Sequence, residues 1–172
     1  MKNEDKEFLT IAQELANFSF LSFQNGLSSR HRHAATCRVL DFMGNSLLAY
    51  GEPVSQALLK TCKAWGGNET ASIIGSKTRL PEPSAALING TMAHAMDFDD
   101  THLPSILHPS ASIIPAALAI AQKTCVDGKK LLDAINIGTE ICIRLGMGGY
   151  NESLRNSIFL NVGNMLHQFV VQ

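Results

Sequence analysis

The sequence predicts a mainly α-helical fold, and three observations support this prediction. Apolar residues recur at spacings of three and four residues along most of the 172-residue chain, which is the period of an amphipathic helix. Only residues 70–75 indicate a strand or extended segment. Glycine, proline and serine lie between the periodic segments, where they end one helix and begin the next.

Three helices are predicted in the first third of the chain. The first begins near Phe8, and Gly26 breaks it. Ser29 is a plausible N-cap for the second helix, and Gly51 is placed to end it. Pro53 stands where a first-turn proline begins a third helix.

Three further helices follow the possible strand. One begins at Pro81 and continues to Met96 with apolar or small residues on almost every face, so we expect it to be buried all round. The next extends from about Ser110 to Thr124, and Pro115 inside it predicts a kink. The last covers about 129–145. No linker divides the chain into two domains.

The composition excludes several classes of function. A net charge of −1 gives no attraction for nucleic acid or an anionic membrane, and no apolar run is long enough to span a bilayer. Residues 1–7 lack the apolar core of a signal peptide. The cysteines lack C-x-x-C spacing, which favours reduced thiols and a cytoplasmic protein. Charged residues make up only 17%, so we expect part of the surface to meet another domain or subunit.

A dense polar cluster follows the helix that is predicted to be buried. Three carboxylates, a hydroxyl and two imidazoles fall within twelve residues. A packed core does not need such groups, so the segment indicates a functional site. It consists of Asp97-Phe98-Asp99-Asp100-Thr101-His102, followed by His108-Pro109-Ser110.

Four interpretations of this cluster are open from the residues alone. It could be a solvated helix end, or a site for Mg²⁺ or a transition metal. The D-x-D-x-T pattern of Asp97, Asp99 and Thr101 also occurs in haloacid-dehalogenase-like phosphatases, but there the first Asp ends a parallel strand, whereas Asp97 follows a predicted helix. The fourth is metal-free acid–base catalysis on a carboxylate, with His108-Pro109-Ser110 opening a helix whose positive end suits an anion.

The sequence around this cluster resembles the MmgE/PrpD family, which includes 2-methylcitrate dehydratase, cis-aconitate decarboxylase and iminodisuccinate epimerase. The resemblance covers about Phe8 to Phe159 and is strongest in two segments. These are NGTMAHAMDFDDTH at 89–102 and HPSA at 108–111, with PAALA following at 115–119.

The resemblance implies a lyase of the 2-methylcitrate dehydratase type that acts on a small polycarboxylate without metal or organic cofactor. An epimerase or a cis-aconitate decarboxylase of the same family is the alternative, and a loop between Thr101 and His108 that is one residue longer than in decarboxylases leans away from that activity. Asp97, Thr101 and His108 match active-site positions. The motif residues Asp100 and His102, with Ser110 beyond them, are predicted to bind substrate. His94 is expected to be a core histidine.

The family pattern also implies a larger protein. Its members form homodimers and add an α+β lid domain that is absent here, so residues 1–160 are predicted to be an incomplete N-terminal helical domain. Residues 161–172 lose the family pattern, and suitable codons read in a shifted frame can restore it, so we expect an aberrant, frameshifted tail. The isolated chain is therefore expected to be inactive or nearly so, and a non-catalytic remnant is the alternative to an enzyme.

Overall fold

The computed structural model describes residues 9–148, and it confirms a mainly α-helical fold. Six α-helices, one short 3₁₀ turn and two two-residue strands make up these residues. They are α1 (Ile11–Asn25), α2 (Ser29–Leu48), the 3₁₀ turn (Ala49–Gly51), α3 (Pro53–Trp65), β1 (Ala71–Ser72), β2 (Arg79–Leu80), α4 (Glu82–His94), α5 (Pro109–Thr124) and α6 (Gly128–Gly148). The predicted tail at 161–172 lies outside the described residues.

Local sequence signals explain where the helices begin. Thr10 and Gln13 form a capping box at the start of α1, which satisfies N–H groups that have no partner inside the helix. The N-cap of α2 is Ser28 rather than the predicted Ser29, and its Oγ accepts a hydrogen bond from the His31 N–H. Pro53 occupies the first turn of α3, as its fixed φ favours.

The predicted strand is one half of a small antiparallel ribbon. Ala71 pairs with Leu80 and Ser72 with Arg79. The second strand was not predicted because two residues are too few to show an alternating pattern. Asn89 of α4 joins the ribbon to the helices, since its side chain donates to the Ser72 carbonyl and accepts from the Ile74 N–H.

Helix α4 is the centre of the fold and packs against α2, α3 and α5. Its closest approach is to α5, where a Cβ added at Gly90 would lie 2.5 Å from the Ala111 carbonyl oxygen. Two apolar clusters of the core meet on α4. Their fully buried members include Phe42, Ile88, Met92, Ala93, Ile114 and Ile135.

An ion pair fixes the start of α2 against α6. Arg32 donates from Nε and from a terminal guanidinium nitrogen to the two carboxylate oxygens of Asp133, both at 2.8 Å. The bidentate geometry makes this a strong and directional contact. Among the described residues, no helix is both long and apolar enough to cross a membrane.

Candidate active site

The polar cluster lies where the C-terminal end of α4 meets the N-terminal end of α5. Because α4 and α5 pack closely at Gly90, the 14-residue connection between them must leave one helix and return to the same place. Helix α4 ends at His94, two residues before the predicted Met96. The Asp97 N–H closes a turn on the His94 carbonyl, and Asp97 adopts a left-handed φ of 54°, a conformation that aspartate tolerates better than most residues. The chain therefore reverses at once and folds Asp99 back onto His94.

A second backbone feature brings Thr101 and His108 together. The His102 N–H donates to the Leu107 carbonyl at 2.9 Å, and the two residues form an isolated antiparallel bridge. Residues 103–106 form a closed turn beyond this bridge. The residues on the other side of the bridge are consequently neighbours, and Thr101 Oγ1 lies 3.5 Å from His108 Nδ1.

Asp99 is the buried carboxylate of the cluster, and it lies against two imidazole rings. Its side chain is 2% exposed, and His94 Nδ1 is 3.0 Å from both of its oxygens. Its Oδ1 also lies 3.4 Å from His108 Nδ1. The rings of His94 and His108 meet edge to face, with centroids 4.9 Å apart and an interplanar angle of 62°.

Asp97 occupies the opposite, solvent-facing side of His108. Its side chain is 83% exposed, and its Oδ1 lies 3.9 Å from His108 Nε2. The two nitrogens of His108 thus face different surroundings. Nδ1 faces Asp99 and Thr101 on the inner side, and Nε2 faces Asp97 on the open side.

Asp100 and Ser110 bind each other. Asp100 Oδ2 accepts from the Ser110 hydroxyl at 2.7 Å, and Oδ1 accepts from the Ser110 N–H at 3.1 Å. The carboxylate therefore takes the place at the first turn of α5 where an anionic substrate was expected, and it gains from the positive end of the helix. This contact also fixes His108, which precedes α5 as its N-cap residue.

His102 is occupied within its own loop, since its Nδ1 lies 2.8 Å from Ser105 Oγ. The structure thus brings together the three residues predicted to be catalytic, Asp97, Thr101 and His108. It pairs two predicted substrate-binding residues, Asp100 and Ser110, with each other and turns His102 toward Ser105. Their roles in substrate binding remain predictions.

Two residues of the site were not among the predicted catalytic or substrate-binding residues. His94 was expected in the core, but its side chain is 34% exposed and contacts Asp99, because α4 ends two residues earlier than predicted. Asp99 had no assigned role. His94 and Asp99 are five residues apart, and this spacing could have indicated a contact across the end of α4. It does so only when the last residue of the helix is known, which the sequence placed two residues too late.

The contact with Asp99 changes the acidity of His94. The hydrogen bond to the Asp99 carboxylate raises the pKa of His94 above its usual value, and burial opposes this effect. The negative charges of Asp99 and Asp97 raise the pKa further. The imidazolium form is therefore favoured beside a buried carboxylate, as expected for a close opposite charge.

The cluster also contains the donor types of a metal site. One ligand atom from each of His94, Asp97, Asp99 and His108 lies within 4.8 Å of the others, and imidazole with carboxylate suits Zn²⁺ and related ions. The phosphatase hypothesis, in contrast, is wrong. Asp97 follows helix α4, and the described residues contain no parallel strand that could end at it.

The cluster is an open surface site in the part of the chain described. Two apolar grooves, of about 750 and 600 Å³, lie between α2 and α6 and between α1 and α6. Neither groove includes a residue of the cluster.

Comparison with known proteins identifies similar sequences over most of the chain. The family model of the MmgE/PrpD N-terminal domain matches residues 13–166. Mouse cis-aconitate decarboxylase is 33% identical over 137 residues, which cover 74% of this chain and 28% of that protein. The human cis-aconitate decarboxylase is 34% identical over 112 residues, which cover 62% of this chain and 23% of that protein. A cis-aconitate decarboxylase-like protein of Aspergillus oryzae is 28% identical over 123 residues, which cover 67% of this chain and 26% of that protein. The chain spans about a quarter of the length of these relatives.

Proposed function

This chain belongs to the MmgE/PrpD family, and we propose that its cluster of Asp97, Thr101 and His108 is the acid–base part of a lyase site for a small polycarboxylate. The reaction would proceed by proton transfer without a metal. The observation that carries the proposal is the position of His108 between two carboxylates. Nε2 and Asp97 face the open side 3.9 Å apart, while Asp99 lies 3.4 Å behind Nδ1.

This arrangement suits the removal and return of a proton next to a carboxylate. Two groups with separate environments can divide the roles of base and acid. In a dehydration, one group would take the proton alpha to a carboxylate and the other would protonate the departing hydroxyl. In a decarboxylation, an acid would protonate the carbon that loses CO2. Thr101 Oγ1, beside His108, would supply a hydrogen bond to a substrate oxygen.

Cis-aconitate is the first substrate to test, because the three relatives compared above carry its name. The extra residue between Thr101 and His108 does not argue against it. The bridge between His102 and Leu107 closes the loop on the far side from the cluster, so a longer turn leaves Thr101 and His108 adjacent. Dehydration of 2-methylcitrate, which the sequence favoured, is the second reaction to test.

The remaining contacts to substrate would come from outside the described residues. The cluster is open, and the carboxylates Asp97 and Asp99 weaken the binding of a polycarboxylate when no cations from elsewhere contact it, so we expect the isolated chain to bind such a substrate only at about millimolar concentration. Since the chain spans about a quarter of its relatives, we propose that a complete site needs further residues and that this chain alone turns over little or no substrate.

A segment exchange tests the function in a complete protein. Residues 94–110 of this chain would replace the aligned segment of mouse cis-aconitate decarboxylase, and the release of CO2 from cis-aconitate and the dehydration of 2-methylcitrate would both be followed. We expect the exchanged protein to retain one of these activities and His108→Gln within it to lose that activity. Leu103→Ala, which alters an exposed side chain of the same loop, is the matched control. A folded exchange protein with neither activity would contradict the proposal.

A further inference from the structure

Asp99 has a contact pattern that the proposed reaction does not itself require. Of the three neighbouring carboxylates, Asp97 is exposed and Asp100 is held by Ser110, whereas Asp99 is buried between His94 and His108. A carboxylate buried without hydrogen bonds or a paired charge would be strongly destabilising. Its neighbours must therefore keep a fixed geometry around it.

The carboxylate determines the proton position on His94. An ionised carboxylate only accepts hydrogen bonds, so the 3.0 Å contacts require a proton on His94 Nδ1. When His94 is neutral, its Nε2 is then the unprotonated nitrogen. The ring is fixed as well, because both carboxylate oxygens contact the same nitrogen.

The same oxygen faces Nδ1 of His108. Asp99 Oδ1 lies 3.4 Å away and Thr101 Oγ1 lies 3.5 Å away, so a proton on Nδ1 has the negative charge of Asp99 and a hydroxyl oxygen close to it. The hydrogen bond made by one imidazole nitrogen sets the protonation of the other. With the proton on Nδ1, Nε2 keeps its lone pair and points to the open side near Asp97.

We propose that Asp99 is a positioning residue that holds His94 and His108 together, with Nδ1 protonated on both rings, and so presents Nε2 of His108 to substrate. The edge-to-face contact of the two rings, with centroids 4.9 Å apart, transmits the constraint from His94 to His108. His94 is the support in this arrangement and does not contact substrate. The catalytic significance of this role rests on the proposed function, but the tautomers do not.

The tautomers can be measured directly on this chain. Ring ¹⁵N shifts of histidine-labelled protein distinguish Nδ1–H from Nε2–H without any substrate, so failure of the lyase proposal would leave the result intact. We expect the wild-type chain to show Nδ1–H for neutral His94 and His108. Asp99→Asn should lose this preference on both rings, and Asp99→Glu, which keeps the charge but moves it, should restore it in part. Asp41→Asn is the matched control, since Asp41 is exposed on α2 and contacts Asn45.

Two results of the tautomer measurement would overturn the proposal. One is an Nε2–H tautomer on neutral His94 or His108 in the wild-type chain, which requires no variant to fold. The other is a folded Asp99→Asn variant with both tautomers unchanged. In the exchanged decarboxylase, Asp99→Asn should lower kcat about 10²- to 10⁴-fold, as for loss of an acid–base group, with little change in KM. A change in KM alone would contradict a role in positioning the Nε2 lone pair of His108.

Discussion

At the scale of single residues, the central feature of the cluster is that the two ring nitrogens of His108 have different neighbours. His108 presents Nδ1 to Asp99 and Thr101 and Nε2 to Asp97. The sequence identified three of these groups because carboxylate, hydroxyl and imidazole side chains stood close together. It did not reveal that Asp99 is buried and Asp97 exposed, because that difference depends on the left-handed turn at Asp97. The chemical assignment depends on this difference.

The ion pair of His94 predicts a pH dependence of stability. The Asp99 contact raises the pKa of His94, so its contribution is fully present below the unfolded-state pKa of about 6.5 and is lost as pH rises through the folded-state pKa. The charged or titratable groups near this ring are Asp99, Asp97 and His108. We expect the free energy of unfolding of the wild-type chain to fall across this range more than that of Asp99→Asn. Urea unfolding of both proteins at a series of pH values measures this difference. If the free energies of unfolding of the two proteins changed with pH in parallel, the ion pair between His94 and Asp99 would be contradicted.

At the scale of helices and loops, the order of the elements was predictable and their ends were less so. Six helices follow from apolar periodicity and from glycine, serine and proline between the periodic segments. The end of α4 was placed two residues late because Ala95 and Met96 continue the apolar pattern. The close approach of α5 could not be predicted from one sequence, since it depends on which small residue faces the neighbouring helix. These two features together create the site.

The two hydrogen bonds between Asp100 and Ser110 are predicted to stabilise the start of α5. Ser110→Ala removes a buried hydroxyl that donates to a carboxylate, which should cost about 1.5–3 kcal/mol. Asp100→Ala should cost a similar amount, and the double variant less than the sum because the two share one interaction. Urea unfolding of the four proteins measures the coupling. Ser112→Ala, which loses only a hydrogen bond to the Pro109 carbonyl, is the control. If the losses of stability in the two single variants added up to the loss in the double variant, the interaction of Asp100 with Ser110 would be contradicted.

The packing of α4 on α5 gives a second prediction for the elements. A methyl group at Gly90 would lie 2.5 Å from the Ala111 carbonyl oxygen, so Gly90→Ala should destabilise the chain by about 1–3 kcal/mol through overpacking. Gly44→Ala is the matched control on helix α2, where nothing lies within 4 Å, and it should stabilise by up to about 1 kcal/mol. Thermal unfolding of the two variants and the wild-type chain measures both changes in stability. Equal effects of the two variants would show that the approach of α5 does not restrict this position.

At the scale of the whole molecule, the described residues form a helical body with an open site and exposed apolar side chains. Phe20 and Phe23 on α1, Leu103 and Ile106 in the loop, and Leu145 on α6 are all about half exposed or more. This agrees with the low charge content of the sequence. It also fits a chain that spans about a quarter of its relatives, because larger proteins have more residues to cover such surface.

The most direct test of the central claim is a titration of this chain with cis-aconitate, followed through its histidine ring signals. We predict saturable shifts of His108, with Kd on the order of millimolar, which corresponds to about −4 kcal/mol, and no turnover. His31 and His33, exposed on α2, should not shift, and chelation of metal ions should change nothing. Acetate at equal ionic strength is the ligand control. Unchanged His108 signals, or equal shifts of His31 and His33, would contradict an acid–base site for polycarboxylates.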